Sequence, residues 1–489
     1  MHYIEHLSDI QKDGKLRLTF CGGVGSVTGA NFLLEGPLQV GEASKTNNVL
    51  KILVDCGMEQ GGPLADASNR KPFIYDPKTA DILLVTHAHM DHVGRIAKLV
   101  HDGFDGVIYS TPETMELATL MLEDALKLTT MEAMEKKLPA LFGEADVKKS
   151  FAIWKAIPYH IPTVLSPGYE VYLKDAGHVL GSTMYELTYT APAGVLDKKG
   201  QPYKRKVVFT GDLGNSPTPL LKDTEKIDDA DYLLMESVYG DRNHEDRELR
   251  LEKLEQAIES NTARGGTLLI PSFSLEKTQE LLFEIHRMMD EKKLPRTQVY
   301  LDSPLAIKLT EMYRRLNGQF NTGAEADIAR GHDLFTFPGL QVVEDADASK
   351  AIKYAPAPKI IIAGSGMSNG GRIQHHELNY LSDSRTTLLL IGYQAVGTLG
   401  RQIQEGAKRI TIYNKEVVVN ATIEHIDGYS SHKDSDHLVE FVEPTAEKVR
   451  QVFVVMGETK SSLFLVQRLR DYLGVNAVHP NEGDTVVLE

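Results

Sequence analysis

Apolar residues alternate with polar ones at the start of the chain, Leu16-Arg17-Leu18-Thr19-Phe20, which predicts a strand with one buried face. The strand breaks into a glycine-rich loop, Gly22 to Gly29, whose simplest reading is a tight turn between paired strands. Phe32-Leu33-Leu34 and Leu50-Lys51-Ile52-Leu53-Val54 follow as strands on either side of a polar loop, Gly36 to Asn48. Uninterrupted apolar runs then predict buried strands at Ile82-Leu83-Leu84-Val85, Lys206-Val207-Val208-Phe209 and Tyr232-Leu233-Leu234-Met235. Pro112-Glu113 opens a helix to about Lys127, with Leu117, Leu120, Met121 and Ala125 on its apolar face. The charged stretch from there to about Trp154 reads as a solvated helical cap.

After Gly240 the pattern changes to strands separated by helical periods. Leu251, Leu254 and Ile258 mark a helix, Thr267-Leu268-Leu269-Ile270 a strand, and Thr278 to Met289 a helix. Val299-Tyr300-Leu301-Asp302, Lys359-Ile360-Ile361-Ile362-Ala363 and Leu388-Leu389-Leu390-Ile391 are further strands in the same alternation. This predicts a mostly parallel sheet covered on both faces, over residues 241–428, with its ligand-facing turns at the carboxyl ends of the strands. From 429 the first style returns, with a strand at Gln451-Val452-Phe453-Val454-Val455, a helix from Ser461 to Tyr472 and a closing strand, Thr485-Val486-Val487-Leu488. The expected organisation is one fold over 1–240, an inserted βα domain over 241–428, and a return of the first fold over 429–489.

Composition narrows the class. The 489 residues, 42% hydrophobic and 25% charged, fit a soluble globular chain of two or three domains. No apolar run approaches the roughly 20 residues that span a bilayer, and the first residues lack a signal peptide's basic and apolar regions. Cys21 and Cys56 are read as reduced core thiols, which suits a cytoplasmic location. The net charge of −15 argues against a wholesale basic surface for nucleic acid, while leaving room for an enzyme that holds phosphates with metal ions.

The candidate chemistry gathers at strand ends. Thr86-His87-Ala88-His89-Met90-Asp91-His92 leaves a buried strand with three imidazoles and a carboxylate within six positions. Neutral imidazole nitrogen and carboxylate oxygen suit zinc at roughly 2.0–2.2 Å. His87 and His89 can share one ion, with Asp91 and His92 directed past it to a second. Asp55, Asp212 and Glu236 each end another buried strand, and that repetition draws His178, in Asp175 to Ser182, into the same site. In the later region the strand ends Pro271 to Ser274, Asp302-Ser303-Pro304, Gly364-Ser365-Gly366-Met367 and Gly392-Tyr393-Gln394 offer small residues and free backbone N–H groups. Ser365 and Gly366 are the candidates there for substrate phosphate.

His87-x-His89-x-Asp91-His92, then His178, then Asp212 resembles the signature of the metallo-β-lactamase fold. Glu236-Ser237-Val238-Tyr239-Gly240 and Ser431-His432-Lys433-Asp434 resemble motifs A and B of its β-CASP branch, whose members process nucleic acids. The resemblance implies an α/β fold, an αββα sandwich with the inserted βα domain, and two zinc ions. His87, His89 and His178 would hold one ion, Asp91 and His92 the other, and Asp212 would bridge them, with Asp55 supporting the site. It implies hydrolysis of RNA phosphodiesters by metal-activated hydroxide. Asp91 and Glu236 would join the catalytic set, and His432 would act as general acid, oriented by Glu236. Lys277 stands where relatives often carry Arg, a third candidate for phosphate that keeps the charge but not the bidentate fork.

One position breaks the pattern. RNA-directed members carry His at motif C, and here Val455-Met456-Gly457-Glu458 has Met456. A thioether is a poor zinc ligand, so the second ion is expected to bind less tightly. Two other readings stay open: a DNA nuclease of the same fold, acting on single strands, and a non-catalytic partner subunit in RNA processing. Endonuclease against exonuclease action, and monomer against homo-oligomer, are choices left open by the sequence.

Overall fold

A computed structural model describes residues 10, 14–38, 45, 48–61, 64–197, 199–245 and 247–489. The chain start and most of the polar loop between Pro37 and Asn48 lie outside the described residues.

The first sheet takes β1 (Leu16–Gly22), β2 (Asn31–Pro37), β3 (Val49–Val54), β4 (Ile82–Leu84), β5 (Val107–Ser110) and β6 (Trp154–Ala156) in sequence order. β1, β2 and β3 pair antiparallel, and β3 to β6 run parallel. The second sheet begins with β7 (Thr163–Ser166), β8 (Tyr169–Asp175), β9 (Thr183–Thr190), β10 (Lys204–Phe209) and β11 (Tyr232–Met235). β9 and β10 pair antiparallel, while β10 and β11 run parallel.

The chain then builds a third sheet from β12 (Thr267–Pro271), β13 (Gln298–Asp302), β14 (Leu340–Val342), β15 (Lys359–Ala363) and β16 (Thr387–Leu390). A hairpin, β17 (Arg409–Ile412) with β18 (Lys415–Val418), precedes its last strand, β19 (Thr422–His425). The order is β14-β13-β15-β12-β16-β19, and every pairing is parallel. β20 (Gln451–Val454) and β21 (Ala477–Val478) return to the second sheet beside β11, and β22 (Thr485–Leu488) closes the first sheet against β1.

Side-chain alternation explains the layering. On β1 to β3, Leu18, Phe20, Phe32, Leu34, Ile52 and Val54 point between the two sheets, where they meet Val171, Leu187, Val207, Phe209 and Phe453. Leu33, Leu53 and Leu83 point the other way and pack with Leu99, Leu117 and Leu122 of the covering helices. Val208, Leu233, Met235, Val452 and Val454 of the second sheet are covered by Leu438, Val442, Leu465 and Leu469. The result is an αββα sandwich. One face of the third sheet, with Leu268, Ile270, Leu301 and Ile362, belongs to the same apolar cluster as Leu117 and Met121, so the inserted region is packed on the sandwich.

Two local expectations change. The helix from Pro112 runs to Lys136, beyond Lys127, and stops where Lys137 turns left-handed at φ 54°. Its last turns expose Met131 and Met134, which is why the apolar period fades there. The stretch to Trp154 is largely exposed, as a solvated cap would be, but it is not helical throughout: a second helix, Glu144–Ala152, follows after a break, and Trp154 opens an edge strand too short to show a period.

Candidate metal centre

Each central strand of the sandwich stops at the same end, and the next few residues turn inward over the sheet edge. Asp55 follows β3 with φ 57°, and accepts hydrogen bonds from the Thr86 amide at 2.8 Å and the Thr86 hydroxyl at 2.8 Å. This ties the β3 end to the β4 end. His92 Nδ1 is 2.8 Å from the same carboxylate, so Asp55 orients an imidazole rather than standing in the cluster itself. His87 is held from behind by Thr86 Oγ1, 3.0 Å from its Nδ1.

Four side chains then converge. His89 Nδ1 lies 3.1 Å from His87 Nε2 and 3.2 Å from His178 Nε2. Asp212 Oδ2 lies 3.5 Å from His87 Nε2 and 3.6 Å from His178 Nε2. Atoms that bind one zinc tetrahedrally at about 2.0–2.1 Å stand roughly 3.3 Å apart, which these spacings match. A second set, Asp91, His92 and Asp212, meets on the other side of Asp212, with His92 Nε2 3.3 Å from Asp212 Oδ2 and 3.8 Å from Asp91 Oδ2. Asp212 is shared with a third set too, in which His432 Nδ1 is 3.1 Å from Glu236 Oε1 and 3.9 Å from Asp212 Oδ2.

The residues fit a divalent metal centre. His92 Nε2 and Asp212 Oδ1 are buried and form no hydrogen bond, a costly state for polar atoms unless a cation completes them. Burial and neighbouring charge hold His87 and His178 well below the usual imidazole range, and burial pushes His89 down to about 3. All three are therefore neutral, the form that binds metal. Burial would raise Asp212, but His92 beside it outweighs that and holds the carboxyl well below its usual range.

Backbone carbonyls from outside the sandwich's first part orient two of these rings. His178 Nδ1 faces the Ser431 carbonyl at 3.2 Å. The Leu275 carbonyl lies beside the His89 ring, whose Nδ1 is turned to the cluster. Such outer partners fix tautomer and ring direction. Leu275 and Ser431 act through the main chain, so no side-chain signal in the sequence announces them. Glu236 is fixed by the Leu213 amide at 2.7 Å and the Val238 amide at 3.3 Å.

Between this cluster and the carboxyl ends of the third sheet lies a cleft of about 670 Å³. Ser274, Ser303, Ser365, Gly366 and Gly392 line the far wall. A side chain at position 366 would meet the Phe273 ring at 2.6 Å, so only glycine fits there. Lys277 reaches the cleft, but its ammonium is paired with Glu280, and Arg372 is paired with Asp302 at 2.6 Å. Met456 is 2% exposed and lies in the apolar layer, its sulfur so close that a methyl on Gly23 would sit 2.5 Å away.

Comparison with known proteins gives three consecutive matches. Residues 50–264 match the metallo-beta-lactamase superfamily, 278–403 the Beta-Casp domain, and 416–480 the Zn-dependent metallo-hydrolase RNA specificity domain. The chain is 36% identical over 415 residues to Ribonuclease TTHA0252 of Thermus thermophilus, which covers 85% of this chain and 89% of that protein. It is 29% identical over 497 residues to Transcription termination factor FttA of Methanosarcina mazei, covering 99% of this chain and 73% of that one. The FttA of Methanothermobacter thermautotrophicus is 28% identical over 487 residues, covering 97% and 72%.

Proposed function

Since this chain belongs to the β-CASP family of the metallo-β-lactamase superfamily, we propose that it is a metal-dependent ribonuclease whose chemistry is carried by the His87 to His92 loop, His178, Asp212, Glu236 and His432. The observation that carries the residue assignment is the convergence of three ligand sets on Asp212, with two of the buried polar atoms left unbonded. In this reading residues 1–240 and 429–489 form the hydrolase sandwich, and 241–428 form the inserted domain that supplies the other wall of the cleft.

His87, His89, His178 and Asp212 would hold one zinc, and Asp91, His92 and Asp212 a second. The ions, when bound, supply Lewis-acid activation of water and positive charge opposite the phosphate. Asp212 fixes the spacing of the two ligand sets. His432, oriented by Glu236, is within reach of the same centre and gives its proton to the leaving 3′-oxygen. The far wall binds the substrate backbone through Ser365 and Gly366, with Lys277 released from Glu280 as an additional cation. With Asp91, Asp124, Asp212 and Asp302 also on the lining, affinity for a polyanion rests on the ions rather than on basic side chains.

The test uses matched RNA and DNA oligonucleotides with zinc-loaded protein, the Asp212→Ala variant and the His432→Ala variant. RNA is expected to be cleaved in preference to DNA. Asp212→Ala should lose cleavage and metal together, while His432→Ala keeps its metal and slows by roughly 10²–10⁴-fold. Preferential DNA cleavage would replace the substrate assignment. Unchanged cleavage by Asp212→Ala would remove the site.

A further inference from the structure

Glu276 is a buried carboxyl in an unusual position. It directly precedes the helix Lys277–Asp290 with φ 67° and ψ −58°, a conformation L side chains rarely adopt. Its side chain is 1% exposed, and its neighbour Lys277 is paired with Glu280 instead. What holds the Glu276 carboxyl is Tyr313, 0% exposed, on the helix Pro304–Arg315: its hydroxyl donates to Glu276 Oε2. The Leu180 amide donates in turn to the Tyr313 hydroxyl at 3.3 Å.

These contacts cross from the inserted region to the sandwich. Leu180 is two residues after His178, and Leu275, one residue before Glu276, has its carbonyl beside the His89 ring. One turn of the inserted region thus grips both loops that carry the histidines of the first ligand set. The left-handed backbone at Glu276 lets the carbonyl of Leu275 lie beside His89 while the next side chain reaches Tyr313.

We propose that Glu276 and Tyr313 are positioning residues for the metal centre, bracing the His178 loop and aligning the Leu275 carbonyl on His89, so that the first ligand set is fully formed only when the inserted region is docked. The inference rests on the ligand assignment made above. Neither residue touches substrate or ion; both act through His89 and His178. Loss of the brace frees the histidines to rotate, which weakens the ion and changes its coordination.

The full-length chain, stripped of metal and titrated with cobalt(II), reports both effects, because the visible absorption of cobalt reads the ligand geometry directly. Tyr313→Phe and Glu276→Gly are each expected to weaken cobalt binding about tenfold and to shift its absorption bands. Glu276→Gly relieves the left-handed strain, so its weakened binding is not explained by lost folding. Glu276→Gln keeps the acceptor oxygen and should bind cobalt with the wild-type spectrum. Tyr189→Phe, a buried tyrosine in the sandwich layer, should also leave the spectrum unchanged. If Tyr313→Phe and Glu276→Gly both keep wild-type affinity and bands, the brace is wrong and the metal centre stands. If wild-type protein takes up no cobalt, the ligand assignment falls, and this inference with it.

Discussion

Position 456 shows how one residue is read differently by sequence and by structure. In sequence it is a missing ligand; in three dimensions it is part of a wall. Met456 leaves β20 with φ 48°, donates its amide to the Gly23 carbonyl at 2.7 Å, and packs among Phe20, Val54 and Val455. It also borders a small cavity lined by Asp55, Thr86, His92 and Glu236, directly behind the second ligand set. That set has three donors against four in the first. Three protein ligands and water hold zinc adequately, so the second ion should bind but be the first removed by a mild chelator. Histidine tolerates the left-handed backbone better than most residues. Met456→His is therefore expected to raise bound metal towards two per chain and to make the second ion resist chelation, measured by elemental analysis after dialysis. Equal metal content and equal resistance in both proteins would show that Met456 only packs.

At the scale of elements, strand ends carried the most information. A buried strand has few places for a polar side chain except where it leaves the sheet, so Asp55, His87, Asp212 and Glu236 were legible from their positions alone. Helices were less legible. The helix Gly371–Tyr380 buries Glu377 completely, among residues whose pattern gives no hint of it. Ser368 donates to Glu377, and burial pushes its carboxyl up to about 8 from an ordinary 4.5. The folded protein therefore holds a proton that the unfolded chain releases. Stability from this group is complete below about pH 4.5 and is lost as pH rises through 8. Glu377→Gln removes the titration while keeping the shape. Its Tm should fall less than that of the wild type between about pH 5 and pH 8.5. Parallel Tm profiles would show that Glu377 stays ionised.

The whole molecule is organised by the cleft between the sandwich and the third sheet. Because the candidate ligand sets gather residues from His87 to Asp212, with the Ser431 carbonyl against His178, metal should bind the folded chain and not the unfolded one. Saturation at a hundredfold over Kd stabilises a protein by about 2.7 kcal/mol. Chelation is thus expected to lower the unfolding temperature and added zinc to restore it, read by calorimetry; an unfolding temperature indifferent to both would remove metal from the folding unit. No helix among the described residues is long and apolar enough to cross a membrane. The sequence by itself determined the βα alternation of the inserted region, the strands of the sandwich and the residue types of the ligand sets, because local hydrophobic period and strand-end polarity are short-range properties. Only the tertiary structure decided that Asp55 orients His92, that Tyr313 donates to Glu276, and that the Ser431 carbonyl faces His178. Those contacts join residues tens to hundreds of positions apart, and the last passes through the backbone, which every residue shares and no sequence pattern marks.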